Sequence, residues 1–259
     1  MAVVAVIVGA GSKWDEDGNA KHLEPSVRFG LGGALSLRFA RDYHVVLMGR
    51  RTAVLEEVAA EVRKIGGEAT VVSVDVTSDE SVDAAFDVAK SVGFVEVLVF
   101  NCGPPMPKGV TFATLPLPGD LDPAYLKMAY DVGLVGAARC VKRVVGPMLE
   151  AGNGNIIFSG ATMSLRGGAK FSAMSPTKFA LRSYAQSCFQ AYAPKGIHVS
   201  HVVVDGVIDS PATRSFNNVQ HQNPADLAEA YFHLTKQPKT TWTHELQLSP
   251  NQSGIGMRL

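Results

Sequence analysis

The sequence predicts an α/β fold, built on one doubly wound parallel sheet of about seven strands with helices on both faces. Three observations carry this expectation. Seven β-rich apolar runs recur: "VVAVIV" (3–8), "HVVLMG" (44–49), "ATVVSV" (69–74), "VEVLVF" (95–100), "NIIFS" (155–159), "IHVSHVVV" (197–204) and "ELQL" (245–248). Most are separated by segments with helical spacing, and strands that are apolar on both faces belong to a parallel sheet covered on both sides. The 259 residues, 46% of them hydrophobic, suffice for a single domain over residues 1–259 and require no second one.

The opening "MAVVAVIVGAG" lacks a basic flank and runs directly into glycines, so it is expected to be a buried first strand rather than a leader or a membrane span. In "TAVLEEVAAEVRKIGG", Val54, Leu55, Val58, Val62 and Ile65 share one helical face, and Gly66 and Gly67 stop the helix. In "SDESVDAAFDVAKSVG", Ser78 is the expected N-cap, followed by acidic residues in the first turn. Twenty-four basic and 24 acidic residues cancel, which leaves no overall field to attract nucleic acid or an anionic membrane. Cys102, Cys140 and Cys188 are scattered, odd in number and without metal-ligand spacing. They suit a reduced, cytoplasmic compartment and give no reason to expect a metal.

Sheets of this kind bind ligands beyond the carboxyl ends of their strands, where strand order reverses. After the first strand comes "GAGS", and later "FGLGGALSLRFAR". Joined, Gly9 and Gly11 with Gly30, Leu31 and Gly32 form a glycine-rich turn opening a helix. There, backbone N–H groups can approach a pyrophosphate, as in a Rossmann-type dinucleotide site. Gly30 follows Gly9 by 21 positions where 4 is usual, so residues 12–29 are expected to be an insertion. The insertion is either a polar surface excursion or a segment that keeps Ser12 and Lys13 near the phosphates while the rest folds over the site edge.

The second strand ends in Gly49, Arg50 and Arg51. An acid at Gly49 would select NAD, whereas arginine pairs with a 2′-phosphate and stacks on adenine. The alternative is an exposed charge pair, which the start of a helix disfavours. After the third strand, Asp75 can accept from the adenine amino group and Val76 can pack its ring. After the fourth come Asn101, Cys102 and Gly103, small residues that let backbone lie against a ribose. Asn101 serves equally well as a turn residue.

In order and spacing these pieces resemble the short-chain dehydrogenase/reductase family over essentially the whole chain. The split glycine motif, "DV" at 75–76, "NCG" at 101–103 for N-A-G, "MSPTK" at 174–178 for Y-x-x-x-K, and "GIHVSHVVVDGVIDSP" at 196–211 for a strand followed by P-G-x-V-x-T carry the resemblance. It implies hydride transfer between NADP(H) and a carbonyl or alcohol, a homodimer or homotetramer formed through the helices near 123–150 and 172–193, and cofactor contacts from Lys178, Gly206 and Ile208. It also exposes departures. Met174 stands at the tyrosine position, Ala161 at the serine position, Gly133 at the asparagine position, and Asp205 in place of proline; Lys178 remains.

A lysine can still hold ribose hydroxyls without the tyrosine, but a thioether cannot donate a proton. The expectation is therefore an atypical NADP(H)-dependent oxidoreductase acting on a small apolar carbonyl or enone with non-standard proton delivery. The alternative is an NADP(H)-binding pseudoenzyme serving as sensor, scaffold or non-redox catalyst. Lys178, Met174, Thr162 and Ser159 are the candidate catalytic positions, with Ser164, Ser172, Ser175, Asp131 and Asp205 as further polar groups. Met174, Phe171 and Met163 are expected to make the pocket apolar, and "DSPATRSFNN" to form a lid.

Overall fold

A computed structural model describes residues 2–11, 20–107, 109–111, 114–217 and 219–252. Seven parallel strands form the sheet: β1 (Ala2–Val8), β2 (His44–Gly49), β3 (Ala69–Ser73), β4 (Gly93–Phe100), β5 (Gly154–Ala161), β6 (Ile197–Val204) and β9 (Glu245–Leu248). Their order is β3-β2-β1-β4-β5-β6-β9, so the winding reverses between β1 and β4. Each expected run is a strand. Alternation along β1 sends Val4, Val6 and Val8 to one face and Ala5 and Ile7 to the other.

Each face has its own apolar core. On one lie α4 (Asp79–Val92), α6 (Gly136–Ala151) and α7 (Met174–Tyr192); on the other lie α2 (Gly30–Phe39), α3 (Thr52–Lys64) and α8 (Pro224–Leu234). In α3, Leu55, Val58 and Val62 are buried as the spacing predicts, but Ile65 is 51% exposed because the helix ends at Lys64 and Gly66 turns the chain away. The Ser78 hydroxyl accepts from the Ser81 N–H at 3.1 Å, confirming the cap of α4.

Three features were not legible beforehand. A short helix, α1 (Pro25–Arg28), runs into α2, and its Val27 and the following Phe29 are buried. The second half of the insertion is therefore packed chain rather than a surface excursion; Ser12 and Lys13 lie outside the described residues. The helical stretch after α5 (Pro123–Tyr130) widens into a π-turn at Asp131–Val135 before α6 resumes. Two-residue strands β7 (Val207–Ile208) and β8 (His221–Gln222) pair with each other and pin both ends of the loop between them. In 185–192, Ala185 and Cys188 are spent on the chain's own core; the apolar side chains left exposed on these helices are Tyr130, Val135 and Phe179.

At the reversal point the backbones of β1 and α2 nearly touch. A β-carbon on Gly32 would lie 2.2 Å from the Gly9 carbonyl oxygen. Gly32→Ala must therefore push the helix off the strand end. The expected cost is about 1–3 kcal/mol, read as a lower urea midpoint; an unchanged midpoint would mean that the crossing is looser than described.

Candidate functional site

A cavity of ≈ 830 Å³ runs along the carboxyl ends of β3, β2, β1, β4, β5 and β6. Gly9, Gly11, Gly30, Leu31, Gly32, Arg50, Arg51, Asp75, Val76, Asn101, Cys102, Gly103, Gly206, Ile208, Ser159, Thr162 and Lys178 all line it. The residues gathered from separate strand ends by sequence reasoning thus share one surface. Gly9 and Gly30 have φ of +84° and +63°, conformations that favour glycine. A β-carbon on Gly30 or Gly103 would meet nothing within 4 Å, so both glycines leave space that a ligand can fill. The glycine-lined turn at the end of β1 fits a pyrophosphate.

Asn101 lines the cavity and also binds backbone, though not within its own turn. Its Nδ2 donates to the Gly9 carbonyl at 3.2 Å and fixes the glycine turn from across the reversal point. Asp75 accepts from the Thr77 N–H (3.0 Å) and hydroxyl (2.8 Å), and these bonds hold its carboxyl below the usual range. Arg50 is exposed at the cavity edge and adds to that lowering.

Lys178 is half-buried one turn into α7. Its Nζ donates to the Ser159 carbonyl at 2.7 Å. Burial pulls the ammonium down to about 8, with Cys102 nearby acting weakly the other way. The Cys102 thiol is pushed up to about 12 by burial, so it stays protonated despite the lysine. Ser159 gives the site its carbonyl, while its hydroxyl accepts from the Tyr231 phenol of α8 at 3.0 Å, on the opposite face of the sheet. Thr162 is the hydroxyl left on the wall beside Ala161.

Met174 begins α7 but does not line the cavity; Phe171 and Met163 form that wall. Gly133 lies in the π-turn, where a β-carbon would sit 2.5 Å from Thr177 Cγ2, so an asparagine cannot be accommodated without displacing the residue next to Lys178. Ser172 and Ser175 have buried hydroxyls without a partner among the described residues, and neither lines the cavity. Asp131 is bound to Arg139 at 2.8 Å, and Arg139 also donates to the Val76 carbonyl. Asp205 is buried and taken up by Arg166 (3.3 Å) and Gln247 (2.8 Å). Both carboxylates are explained by these partners.

Sequence reasoning named Ser164 but missed the polar chain it belongs to, which runs behind the site. Arg182, one turn beyond Lys178, holds Glu245 of β9 through Nε (2.6 Å) and Nη2 (2.7 Å). Glu245 lies 3.2 Å from His201 Nδ1, and His201 Nε2 lies 3.4 Å from the Ser164 hydroxyl. Ser164 in turn accepts from the Ala161 N–H at 3.2 Å. The ionised carboxylate fixes the tautomer: Nδ1–H donates to Glu245, leaving Nε2 to accept from Ser164. A β-carbon on Gly160 would fall 2.4 Å from His201 Nε2, so a glycine here makes room for the imidazole. Burial pulls His201 down to about 4. Burial works against the Glu245 charge too, but the Arg182 bonds and charge prevail and hold it low. No spacing rule connects Ser164, His201 and Glu245; adjacent registers of β5, β6 and β9 bring them together.

Among the described residues no group of three potential metal ligands converges, and no helix is long and apolar enough to cross a membrane.

A lysine buried beneath a glycine-lined crevice at the reversal point of a parallel sheet defines a doubly wound α/β protein with its ligand site at the strand ends. Comparison with known proteins narrows that class. The family model described as short chain dehydrogenase matches residues 27–221. Cis-4-hydroxycyclohexanecarboxylate dehydrogenase of Sinomonas cyclohexanicum is 31% identical over 209 residues, covering 80% of this chain and 74% of its own. 1-cyclohexenylcarbonyl-CoA reductase of Streptomyces collinus is 29% identical over 202 residues, covering 75% and 67%. A metagenomic short-chain oxidoreductase solved in complex with NADP superposes with a TM-score of 0.75 at 21% identity, covering 96% of this chain and 97% of that one, and shows the same fold. The chain belongs to the short-chain dehydrogenase/reductase family, whose named relatives here are oxidoreductases.

The His201 chain makes stability acid-sensitive. A histidine held at about 4 when folded and near 6.5 when unfolded binds its proton in the unfolded state first, so stability falls as pH drops from 6.5 towards 4. The loss is on the order of 3 kcal/mol. Urea unfolding at pH 7, 5.5 and 4.5 should show it, and His201→Asn should flatten the slope across that window.

Proposed function

We propose that the protein is an NADP(H)-dependent oxidoreductase acting on a small apolar carbonyl or enone, with proton delivery that does not use the family's tyrosine position. The observation that carries this reading is Lys178: its ammonium projects into the glycine-lined cavity, tethered by one proton to the Ser159 carbonyl, with two protons left for ribose hydroxyls. The nicotinamide supplies or accepts the hydride when bound. Around it, Gly9, Gly30 and Gly32 cradle the pyrophosphate, Asp75 and Val76 take the adenine, and Gly206 and Ile208 flank the nicotinamide. Arg50 and Arg51 meet the 2′-phosphate; nothing acidic stands at Gly49 to favour the NAD ribose instead. Thr162 donates to the carbonyl oxygen as charge develops on it. Apolar Met163 and Phe171 exclude water there.

The second reading, an NADP(H)-binding pseudoenzyme acting as sensor, scaffold or non-redox catalyst, is favoured by the simultaneous presence of Ala161, Met174 and Gly133 at the positions that carry the family's proton chemistry. General acid–base help is worth typically ~10²–10⁴-fold, so the first reading anticipates slow ketone turnover and better turnover of conjugated enones. We also propose a cytoplasmic homodimer or homotetramer through the faces bearing Tyr130, Val135 and Phe179; sedimentation as a monomer would remove that assignment.

Three measurements test the reading. NADPH oxidation should be detectable with cyclohex-2-enone or cyclohexanone; saturable NADPH binding with no oxidation across such a panel would select the pseudoenzyme. Arg50→Ala should weaken NADPH by at least ~10-fold while changing NADH little, since one charge-assisted phosphate contact is worth about 1.5–3 kcal/mol; equal losses would contradict the 2′-phosphate assignment. NADPH affinity should weaken as pH rises through about 8, where Lys178 loses its charge, and Lys178→Met should bind weakly with no such pH step.

A further inference from the structure

We infer that the substrate end of the cavity takes uncharged molecules and turns away free carboxylates. The inference rests on the oxidoreductase reading only for which end of the cavity is the substrate's. That end lies over β5 and β6, between the turn after β5, the turn before α7 and the loop between β7 and β8.

Its walls are Pro105, Met106, Met163, Phe171 and Phe216. Among the described residues, the lining cations are Arg50, Arg51 and Lys178. The two arginines follow β2, across the sheet from this end, and Lys178 is tethered to Ser159 beside the ribose. Other polar groups nearby are already occupied. The Ser210 and Thr213 hydroxyls are 2.9 Å apart, and Thr213 donates to the Ile208 carbonyl at 2.5 Å. The Ala161 N–H is spent on Ser164. Arg214 is paired with Asp209 through Nε and Nη2, and Arg166 with Asp205. Among the described lining residues Thr162 and Ser159 remain, neutral hydroxyls that suit a carbonyl oxygen but carry no charge to balance an anion.

Against the described residues of this wall an ionised carboxylate would lose its water without gaining a cation, so it would have to enter protonated. With an ordinary carboxyl pKa near 4.3, that reduces its affinity at pH 7 by ~10²-fold or more relative to a neutral ester of the same shape. The discrimination should shrink roughly tenfold for each pH unit below 7, because the acid is progressively neutralised while Lys178 keeps its proton.

The test uses the full-length protein saturated with NADP⁺ and compares 4-oxocyclohexanecarboxylate with its methyl ester by saturation-transfer NMR titration at pH 7, 6 and 5. The expected result is binding of the ester at all three values and of the acid only as pH falls. Phe216→Arg, which adds a cation in the loop, should strengthen acid binding at least ~10-fold at pH 7. Equal binding of acid and ester at pH 7, tighter binding of the acid, or no binding of the ester would overturn the inference. Because the readout is binding, it is independent of turnover: ester binding without NADPH oxidation sinks the oxidoreductase reading and leaves this one standing.

Discussion

A helix can lie against the end of a strand only where no side chain stands between them. That constraint, met at Gly9 and Gly32, organises the rest of this molecule. It lets α2 begin where β1 stops, brings the unpaired N–H groups of the helix start to the reversal point of the sheet, and leaves a crevice whose floor is backbone. Asn101, just after β4, closes the arrangement by binding the Gly9 carbonyl, which adds a side-chain tie where the β1–β4 ladder ends. Residues 20–29 lead into α2: Val27 is buried, and Phe29 packs in the same core layer as that helix and delivers the chain to Gly30.

The charges at the site follow from what surrounds them. Lys178 is drawn down because its ammonium is largely removed from water and meets a neutral carbonyl rather than a carboxylate. Asp131 and Asp205, the carboxylates close enough in sequence to matter, are claimed by Arg139 and by Arg166 with Gln247. On the α7 face, a histidine kept neutral by burial links an exposed-edge ion pair to the backbone of Ala161. Ala161 thus presents a methyl group on a wall fixed from behind by Ser164. The π-turn is packed closely on both sides: a β-carbon would lie 2.5 Å from Thr177 Cγ2 at Gly133, and 2.9 Å from Val76 at Gly136, where α6 begins.

By itself the sequence determined the architecture and which residues beyond the strand ends line one cavity. Seven apolar runs became seven parallel strands, and the residues just beyond β1 to β4 became one surface, because strand periodicity and the rule that ligands sit at carboxyl ends are local properties multiplied by a regular topology. It also placed Lys178 near the start of a helix, and the folded chain puts it on the cavity wall, since spacing along one helix survives folding unchanged. Tertiary structure decided what each polar group near the reaction centre is free to do. The Ser159 carbonyl takes Lys178 and its hydroxyl accepts from Tyr231; Met174 does not line the cavity, where Phe171 does; the linking of Ser164 to His201 and Glu245 had no local signal. Hydrogen bonds between segments far apart in the chain depend on register and side-chain direction in three dimensions, and neither is encoded in the spacing of residues along one segment.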